Sequence, residues 1–403
     1  MRFQRRDIAG AAAALGIAAL VHVLLGVQPD LSSPQADANL RFASEGSLPD
    51  ALADYPPRWP PLYPSVLWLL ARADVSAVWA NQLLFYGVLL AMAVLARRTI
   101  PGVHPAYPVL LVAALESSYP MIRLATSELL FSLLGLCTLG LAARSRRSAS
   151  SAARTGLAAV GAALCLTRYF GVVWTGPLLV WHSWRGAGGS IAQRARRTLV
   201  FSGLLLAPVA AWIVYARVST GFWTGTDRLK PRRGFRADAA GVEDLLIDVT
   251  HLVKTPLVDF FSVQNWGRHA VINHDYELVA GEVAIAVLAC ALSAAVAVGL
   301  FRALGRGRPR AAPSAETGLL LQLVVLYPVA ILFLWSTGNP DRIYTRFLYP
   351  WYPPLILLGT ALYGWTRRNA PSFLLLWPFR GLYGLMLAAQ CARHVPHLWA
   401  AFG

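Results

Sequence analysis

One acidic residue near the start of the chain has the chemistry of a general base. Asp37 opens the segment Asp37-Ala-Asn-Leu-Arg-Phe-Ala-Ser-Glu-Gly46. A carboxylate placed at a reaction site can take a proton from an attacking hydroxyl group. The alternative interpretation is a solvated loop acid, or the N-cap of a helix over 40–43. The same loop holds three weaker competitors, Asp30, Asp50 and Asp54.

A second group of charges, Glu116, Arg123 and Glu128, surrounds a turn between two apolar segments. Arg123 and Glu128 fall within or at the end of an apolar segment, where a charge is costly unless it is paired or faces a wet cavity. Two interpretations stay open. The group forms the charged wall of a cavity, or it forms an internal salt bridge that joins two helices.

Three arginines, Arg58, Arg168 and Arg346, are candidates to bind an anionic group. A guanidinium group binds phosphate with two parallel hydrogen bonds, which a lysine cannot do. The alternative is that these side chains only reach toward lipid headgroups. Arg58 stands beside Trp59, which favours a binding role. The residues before Arg346 would add to a cavity wall, and they are Asp341, Arg342 and Tyr344.

The sequence gives no indication of a metal or a cofactor. His251, His269, His274 and Asp275 do not follow a metal-ligand spacing, and the four cysteines do not form a CxxC pair. The short loops between apolar segments contain neither a P-loop nor a GxGxxG motif after a strand. We therefore expect no metal, no cofactor and no direct use of a nucleotide.

The composition indicates that the elements carrying these residues lie in a membrane. The chain has 403 residues, of which 56% are hydrophobic and 14% charged, well below the roughly 25% charged residues of soluble domains. We predict an all-α polytopic protein, a single membrane domain over 1–403, with about eleven spans of roughly 20 residues. The predicted spans are 8–27, 75–96, 105–119, 122–143, 156–168, 170–184, 198–217, 278–301, 318–336, 346–365 and 373–390.

The distribution of arginine predicts the orientation. The chain has 36 basic and 20 acidic residues, and clusters such as Arg144/Arg146/Arg147 and Arg194/Arg196/Arg197 all fall on one side of the predicted topology. That side is the cytoplasm, which places the N-terminus inside. Arginine clusters between apolar runs are typical of membrane loops, so nucleic-acid binding is excluded. The richness in alanine and arginine, with only two lysines, indicates a GC-rich bacterial genome, and we expect the protein in the bacterial inner membrane.

Two long loops, 28–74 and 218–277, lie on the outer side in this topology. The first contains an apolar stretch over 62–73 that is too short to span, and the second has apolar residues at helical spacing from Val242 to Val253, stopped by Pro256. Both patterns predict helices that lie along the membrane surface. Long ordered loops of this kind are often functional.

Five fragments in this order resemble the GT-C superfamily of membrane glycosyltransferases, and above all its polyprenyl-phosphate-sugar branch. They are the loop acid Asp37 followed by a helix, Trp59-Pro-Pro-Leu-Tyr-Pro64, Ala125-Thr-Ser-Glu-Leu-Leu-Phe131, Leu166-Thr-Arg-Tyr169 and Arg346-Phe-Leu-Tyr-Pro350. The chain departs from that branch in two places. Ala38 stands where many relatives have a second acid, and no lysine precedes Pro60-Pro61-Leu62.

The resemblance implies a mannosyltransferase-like hexosyl- or pentosyltransferase. It would move a monosaccharide, with inversion, from a polyprenyl-phosphate donor to a hydroxyl of a lipid, glycan or protein acceptor on the outer face. Asp37 would be the base, and Arg346, with Arg58 or Arg168, would hold the donor phosphate. The alternative function is a transporter or flippase of a lipid-linked sugar. Transporters place charges near the membrane midplane within repeats, and the sequence has no such repeat.

Overall fold

The computed structural model describes residues 12, 16, 34–55, 59–100, 103–115, 117–147, 151–186, 189–221, 249–250, 252, 255–256, 259–261, 287–298, 315–336, 345–369 and 373–402. The helices, numbered in chain order, are α1 (Pro34–Ser44), α2 (Leu48–Asp54), α3 (Leu62–Ala71), α4 (Ala77–Thr99), α5 (Ala106–Ala114), α6 (Ser118–Arg123), α7 (Glu128–Arg147), α8 (Ser151–Thr167), α9 (Phe170–Gly186), α10 (Ile191–Thr220), α11 (Ala315–Ser336), α12 (Thr345–Leu348), α13 (Tyr352–Asn369) and α14 (Phe373–Phe402). A short 3-10 helix, Tyr349–Trp351, precedes α13, and Val287–Val298 is a further apolar helix.

Among the described residues, three helices are long and apolar enough to cross a bilayer, over Ala77–Arg98, Glu128–Arg146 and Ile191–Ser219. Along α10, large apolar side chains such as Leu199 and Val218 are mostly exposed. A long helix with exposed apolar side chains fits surroundings of lipid rather than water. The protein is therefore a helical membrane protein, and the part of the chain that the structure describes contains no β-strand. The count of eleven spans stays a prediction.

The largest departure from the predicted spans lies between residues 105 and 127. The helix predicted over 105–119 ends at Ala114, and the one predicted to begin at 122 begins at Glu128. The short helix α6 fills the interval, with Pro120 in its first turn, where a missing N–H costs no hydrogen bond. At about 1.5 Å per residue, α5 is too short to cross a core of about 30 Å. The prediction of a continuous helix over 105–119 is therefore wrong.

The bundle packs most closely where α8 meets α9 and α10. A Cβ atom at Gly161 would lie 2.6 Å from Leu205 Cδ1 and 2.9 Å from Leu179 Cδ1. The missing side chain therefore lets these helices approach, as small residues do in membrane bundles. Trp174 of α9 is fully buried and donates from Nε1 to the Leu323 carbonyl of α11 at 2.9 Å. This bond joins the first half of the bundle to its second half.

The first long loop contains the three short helices α1, α2 and α3. The apolar stretch that was predicted to be helical forms α3, and α1 packs against it. The Trp68 indole donates from Nε1 to the Glu45 carbonyl at 3.0 Å, which closes the turn after α1 over α3. The predicted helix is thus confirmed, while its position at the membrane surface stays a prediction.

The second long loop is described only in part. The residues from 242 to 248 that begin the predicted amphipathic helix lie outside the described residues. Helical residues occur at 249–250, 252 and 255–256, and again at 259–261. Helical structure therefore recurs beyond Pro256, where the sequence predicted that it stops. Leu252 and Phe260 are buried, so this segment packs on the bundle.

Candidate functional site

Asp37 lies in the first turn of α1 with its side chain half exposed. Its carboxylate forms an ion pair with Arg41, one helical turn further on, whose side chain is 77% exposed. Exposed ion pairs of this kind contribute at most about 1 kcal/mol to the stability of a protein. The Arg41 side chain can therefore move away from Asp37 without unfolding the protein. The carboxylate is therefore oriented by its helix and open to a second molecule.

Asn39 anchors α1 to the rest of the protein. Its buried amide nitrogen donates to the Ala125 carbonyl at 2.8 Å, and its amide oxygen accepts from the Tyr55 hydroxyl at 2.9 Å. Ala125 precedes α7 by three residues. Asn39 thus holds the helix of Asp37 against the segment that leads into Glu128.

The same segment is held from its other side by α4. The Asn81 amide donates to the carbonyls of Ile122 at 3.1 Å and Leu124 at 2.7 Å, and the Tyr63 hydroxyl donates to Asn81 Oδ1 at 2.8 Å. Burial raises the pKa of the Tyr63 phenol, so it stays protonated and remains a donor. We call Leu124–Ser127 the hinge segment; two buried asparagines fix its backbone.

Glu128, directly after the hinge segment, forms a buried ion pair. Its Oε1 accepts from Arg168 Nη1 at 2.7 Å, and its side chain is 1% exposed against 18% for Arg168. Arg168 also lies over the Phe347 ring, 5.5 Å from its centre. As the first residue of α7, Glu128 gains from the helix dipole. The structure thus pairs Glu128 with Arg168, two residues that the sequence assigned to different roles.

Two hydroxyls beside this pair are buried without a hydrogen-bond partner in the described part of the chain. They belong to Thr126 and Ser127, both in the hinge segment. A buried hydroxyl without a partner costs about 1–3 kcal/mol. The hinge segment therefore concentrates polar groups next to a buried charge pair.

A hydrophobic cluster shows that α1 and Arg168 lie at the same end of the bundle. Phe42 of α1, Tyr55 and Trp212 of α10 are buried together, and Tyr169 packs against them. The Trp212 indole donates from Nε1 to the Tyr169 hydroxyl at 2.8 Å. Tyr169 directly follows Arg168, so the acid on α1 and the buried ion pair share one end of the molecule.

The segment after Arg346 is fixed to the same region. The Tyr327 hydroxyl donates to the Phe347 carbonyl, and the Trp351 indole donates from Nε1 to the Val324 carbonyl at 2.8 Å. Tyr349 and Ser118 share a hydrogen bond of 3.1 Å between their hydroxyls. The backbone of α12, which carries Arg346, is therefore placed next to α6 and α11.

The remaining predicted site residues are placed only in part. Arg123 ends α6 and is half buried. The Arg346 side chain is not among those that the structure describes, although its backbone is helical. Five predicted residues lie outside the described residues altogether: Arg58, Glu116, Asp341, Arg342 and Tyr344. Their roles stay predictions.

Sequence reasoning missed a polar cluster on the second long loop. Asp259 is buried, and its carboxylate accepts from the Tyr352 hydroxyl. Gln390 of α14 donates from Nε2 to the carbonyls of Asp259 at 2.6 Å and Phe260 at 3.0 Å. The signal was an acid inside the apolar run Val258-Asp-Phe-Phe261. This cluster fastens the second loop to α13 and α14.

Asn39→Leu is expected to loosen α1 from the bundle. Leucine is of similar size but removes the amide that bonds to the Tyr55 hydroxyl and to the Ala125 carbonyl, which should lower the free energy of unfolding by about 2 kcal/mol. Limited proteolysis of the purified protein should then cut near α1 several-fold faster than in the wild type. Ser44→Ala, an exposed change in the same helix, is the control. Equal cleavage rates for all three proteins would contradict the anchoring role.

The described residues contain no group of three or more side chains that could hold a metal ion. His251, His269, His274 and Asp275 lie outside them. Comparison of the chain with protein-family models, with curated proteins and with solved structures finds no match.

Proposed function

We propose that this protein is an inverting membrane glycosyltransferase. It moves a monosaccharide from a polyprenyl-phosphate donor to an acceptor hydroxyl on the outer face of a bacterial inner membrane. One observation carries the proposal: the half-exposed carboxylate of Asp37 lies on α1, and Asn39 of the same helix donates to the Ala125 carbonyl, three residues before Glu128 of the Glu128–Arg168 pair. An accessible base therefore lies on a helix that is anchored to the segment leading into a buried ion pair.

In the proposed reaction, the oxygen of the acceptor hydroxyl attacks the anomeric carbon of the sugar. Asp37 accepts the proton of that hydroxyl. The new glycosidic C–O bond forms as the bond from the anomeric carbon to the phosphate oxygen breaks. Polyprenyl phosphate leaves with that electron pair and gains negative charge. Attack from the face opposite the leaving group inverts the anomeric centre. The half exposure of Asp37 suits this role, because the acceptor must reach the carboxylate.

Charge that builds on the leaving phosphate needs a cation preplaced beside it. Arg346 is the proposed principal ligand, since the bonds of Phe347 and Trp351 fix the backbone that carries it. Arg58 is a second ligand. Arg168 contributes a positive field, but it shares its guanidinium group with Glu128. The proposed cavity wall comprises Glu116, Arg123, Glu128, Asp341, Arg342 and Tyr344.

Arg346→Ala is expected to weaken donor binding more than Arg346→Lys does. Alanine removes both the charge and the fork of donors, while lysine keeps the charge and loses the bidentate geometry. We expect the apparent KM for the donor to rise about tenfold or more with alanine and a few-fold with lysine. Steady-state kinetics over a range of donor concentrations measures both. Equal KM values for the two variants would mean that Arg346 only stabilises its helix and does not bind the donor phosphate.

The direct test incubates purified protein with a panel of polyprenyl-phosphate sugars and follows release of polyprenyl phosphate. The proposal predicts turnover of at least one donor. If no donor is turned over and a lipid-linked sugar instead moves between the leaflets of proteoliposomes, the protein is a flippase and not a transferase. Transfer from a nucleotide sugar alone would contradict the proposed donor class.

A further inference from the structure

Two arginines lie at the end of the bundle formed by the C-termini of α7 and α9. Arg146 lies one residue before the end of α7, and Arg185 one residue before the end of α9. Arg185 is close enough for its charge to act on Arg146. Neither arginine belongs to the proposed transferase site, and nothing in the proposed reaction uses them.

A buried histidine fixes the direction of Arg146. Arg146 donates from Nε to His182 Nδ1 at 3.0 Å, while His182 Nε2 lies 2.8 Å from the Ser145 hydroxyl. Because Nδ1 accepts a hydrogen bond, the imidazole is neutral and carries its hydrogen on Nε2. The terminal nitrogens of Arg146 have no partner within the described residues. The edge of the guanidinium group that carries Nη1 and Nη2 is therefore available to a ligand.

Arg185 is held by an aromatic ring. Its guanidinium carbon lies 4.6 Å from the centre of the Trp181 ring, and 47% of the Trp181 side chain is exposed. Tryptophan at the surface of a membrane helix is typical of the boundary between headgroups and acyl chains. The stacking places the second guanidinium at that boundary.

Among the side chains that the structure describes, these two like charges have no acidic neighbour. No aspartate or glutamate occurs between Glu128 and Asp227, a stretch that includes all of α8, α9 and α10. Within the part of the chain that the structure describes, neither Arg146 nor Arg185 meets a carboxylate. Two cations held side by side repel each other unless an anion lies between them. The arrangement therefore favours a ligand with negative charge.

We propose that Arg146 and Arg185 bind the phosphate of an anionic membrane lipid, with His182 as a positioning residue. Paired guanidinium groups match the oxygens of a phosphodiester. A lipid rather than a free anion fits, because the exposed Trp181 and the exposed apolar residues of the adjoining helix α10, such as Leu199, offer a surface for acyl chains. This site is independent of the proposed transferase function.

The test is native mass spectrometry of the full-length protein in detergent, titrated with phosphatidylglycerol, phosphatidylcholine or inorganic phosphate. The wild type should retain one phosphatidylglycerol in preference to phosphatidylcholine. Arg146→Gln and Arg185→Gln should each weaken that binding about fivefold. His182→Leu should weaken it about threefold, and His182→Gln, which can again accept from Arg146, should restore it. Size-exclusion profiles identify any variant that does not fold.

Arg196→Gln is the matched control, since it removes one exposed positive charge from α10 without a fixed geometry. It should retain the lipid as the wild type does. Three results would overturn the proposal. One is unchanged lipid binding in both Arg146→Gln and Arg185→Gln, and another is an equal loss in Arg196→Gln, which would indicate a diffuse basic field. The third is binding of inorganic phosphate with no preference for the anionic lipid.

Discussion

Asp37→Asn should abolish most sugar transfer while the protein stays folded. The amide cannot accept the proton of the acceptor hydroxyl, and loss of a general base typically costs a factor of about 10²–10⁴ in rate. The change should cost less than about 1 kcal/mol of stability, because it removes only an exposed ion pair and a first-turn acid. The rate of polyprenyl-phosphate release under saturating donor measures the effect.

Three companion variants show whether the loss belongs to Asp37 itself. Arg41→Gln removes the ion-pair partner and should keep most of the activity. Asp50→Asn and Asp54→Asn change the neighbouring acids of α2 and should also leave the rate within a few-fold of the wild type. Full activity in Asp37→Asn, or a loss in Asp50→Asn of the same size, would remove Asp37 as the base.

Arg168→Gln should destabilise the protein far more than Glu128→Gln does. The first change removes the Arg168 charge from beside a carboxylate that is 1% exposed, whereas the second leaves a guanidinium group that retains some exposure and its contact with Phe347. Removal of one partner of a buried pair costs about 3–5 kcal/mol. We expect a loss near that size for Arg168→Gln and about 1–2 kcal/mol for Glu128→Gln. Equilibrium unfolding in mixed detergent micelles gives both values.

The double variant Glu128→Gln/Arg168→Gln provides the control. Because it removes both charges of the pair together, it should recover much of the stability that Arg168→Gln loses. If the losses of stability of the two single variants simply add in the double variant, this double-mutant cycle would mean that the side chains do not interact. Equal losses in the two single variants would contradict the asymmetry of their burial.

The helices that the sequence predicted well are those with unbroken apolar composition. The predicted spans 75–96 and 170–184 match α4 and α9 within a few residues. Their bounds carry strong local signals, such as the Ser76 side chain that accepts from the Trp79 amide at the start of α4. Composition and capping are local properties, so sequence alone is sufficient there.

The region between 105 and 127 could not be predicted in the same way. The region is as apolar as a membrane span. The helix can nevertheless break there, because side chains from other helices form hydrogen bonds with the backbone carbonyls at the break. Asn81 binds the Ile122 carbonyl across 41 residues, and Asn39 binds the Ala125 carbonyl across 86 residues. Bonds of this range depend on packing that no local pattern encodes.

The candidate site was predicted in its residue types but not in its pairings. Asp37, Glu128 and Arg168 were all singled out, but Glu128 was grouped with its neighbour in sequence, Arg123. The structure pairs Glu128 with Arg168, 40 residues further on, a partner that the sequence did not indicate. Which of two arginines reaches a carboxylate depends on the rotation of two packed helices, and a sequence does not give that angle.

Asp37 must face the non-cytoplasmic side to act in the proposed reaction, and labelling of a single cysteine measures this most directly. Asp37→Cys would be made after replacing the four native cysteines and treated in intact cells with a membrane-impermeant maleimide. We predict labelling from outside, while Ser151→Cys, in a loop predicted to be cytoplasmic, reacts only after permeabilisation. Labelling of position 37 that requires permeabilisation, or labelling of Ser151→Cys from outside, would contradict the account.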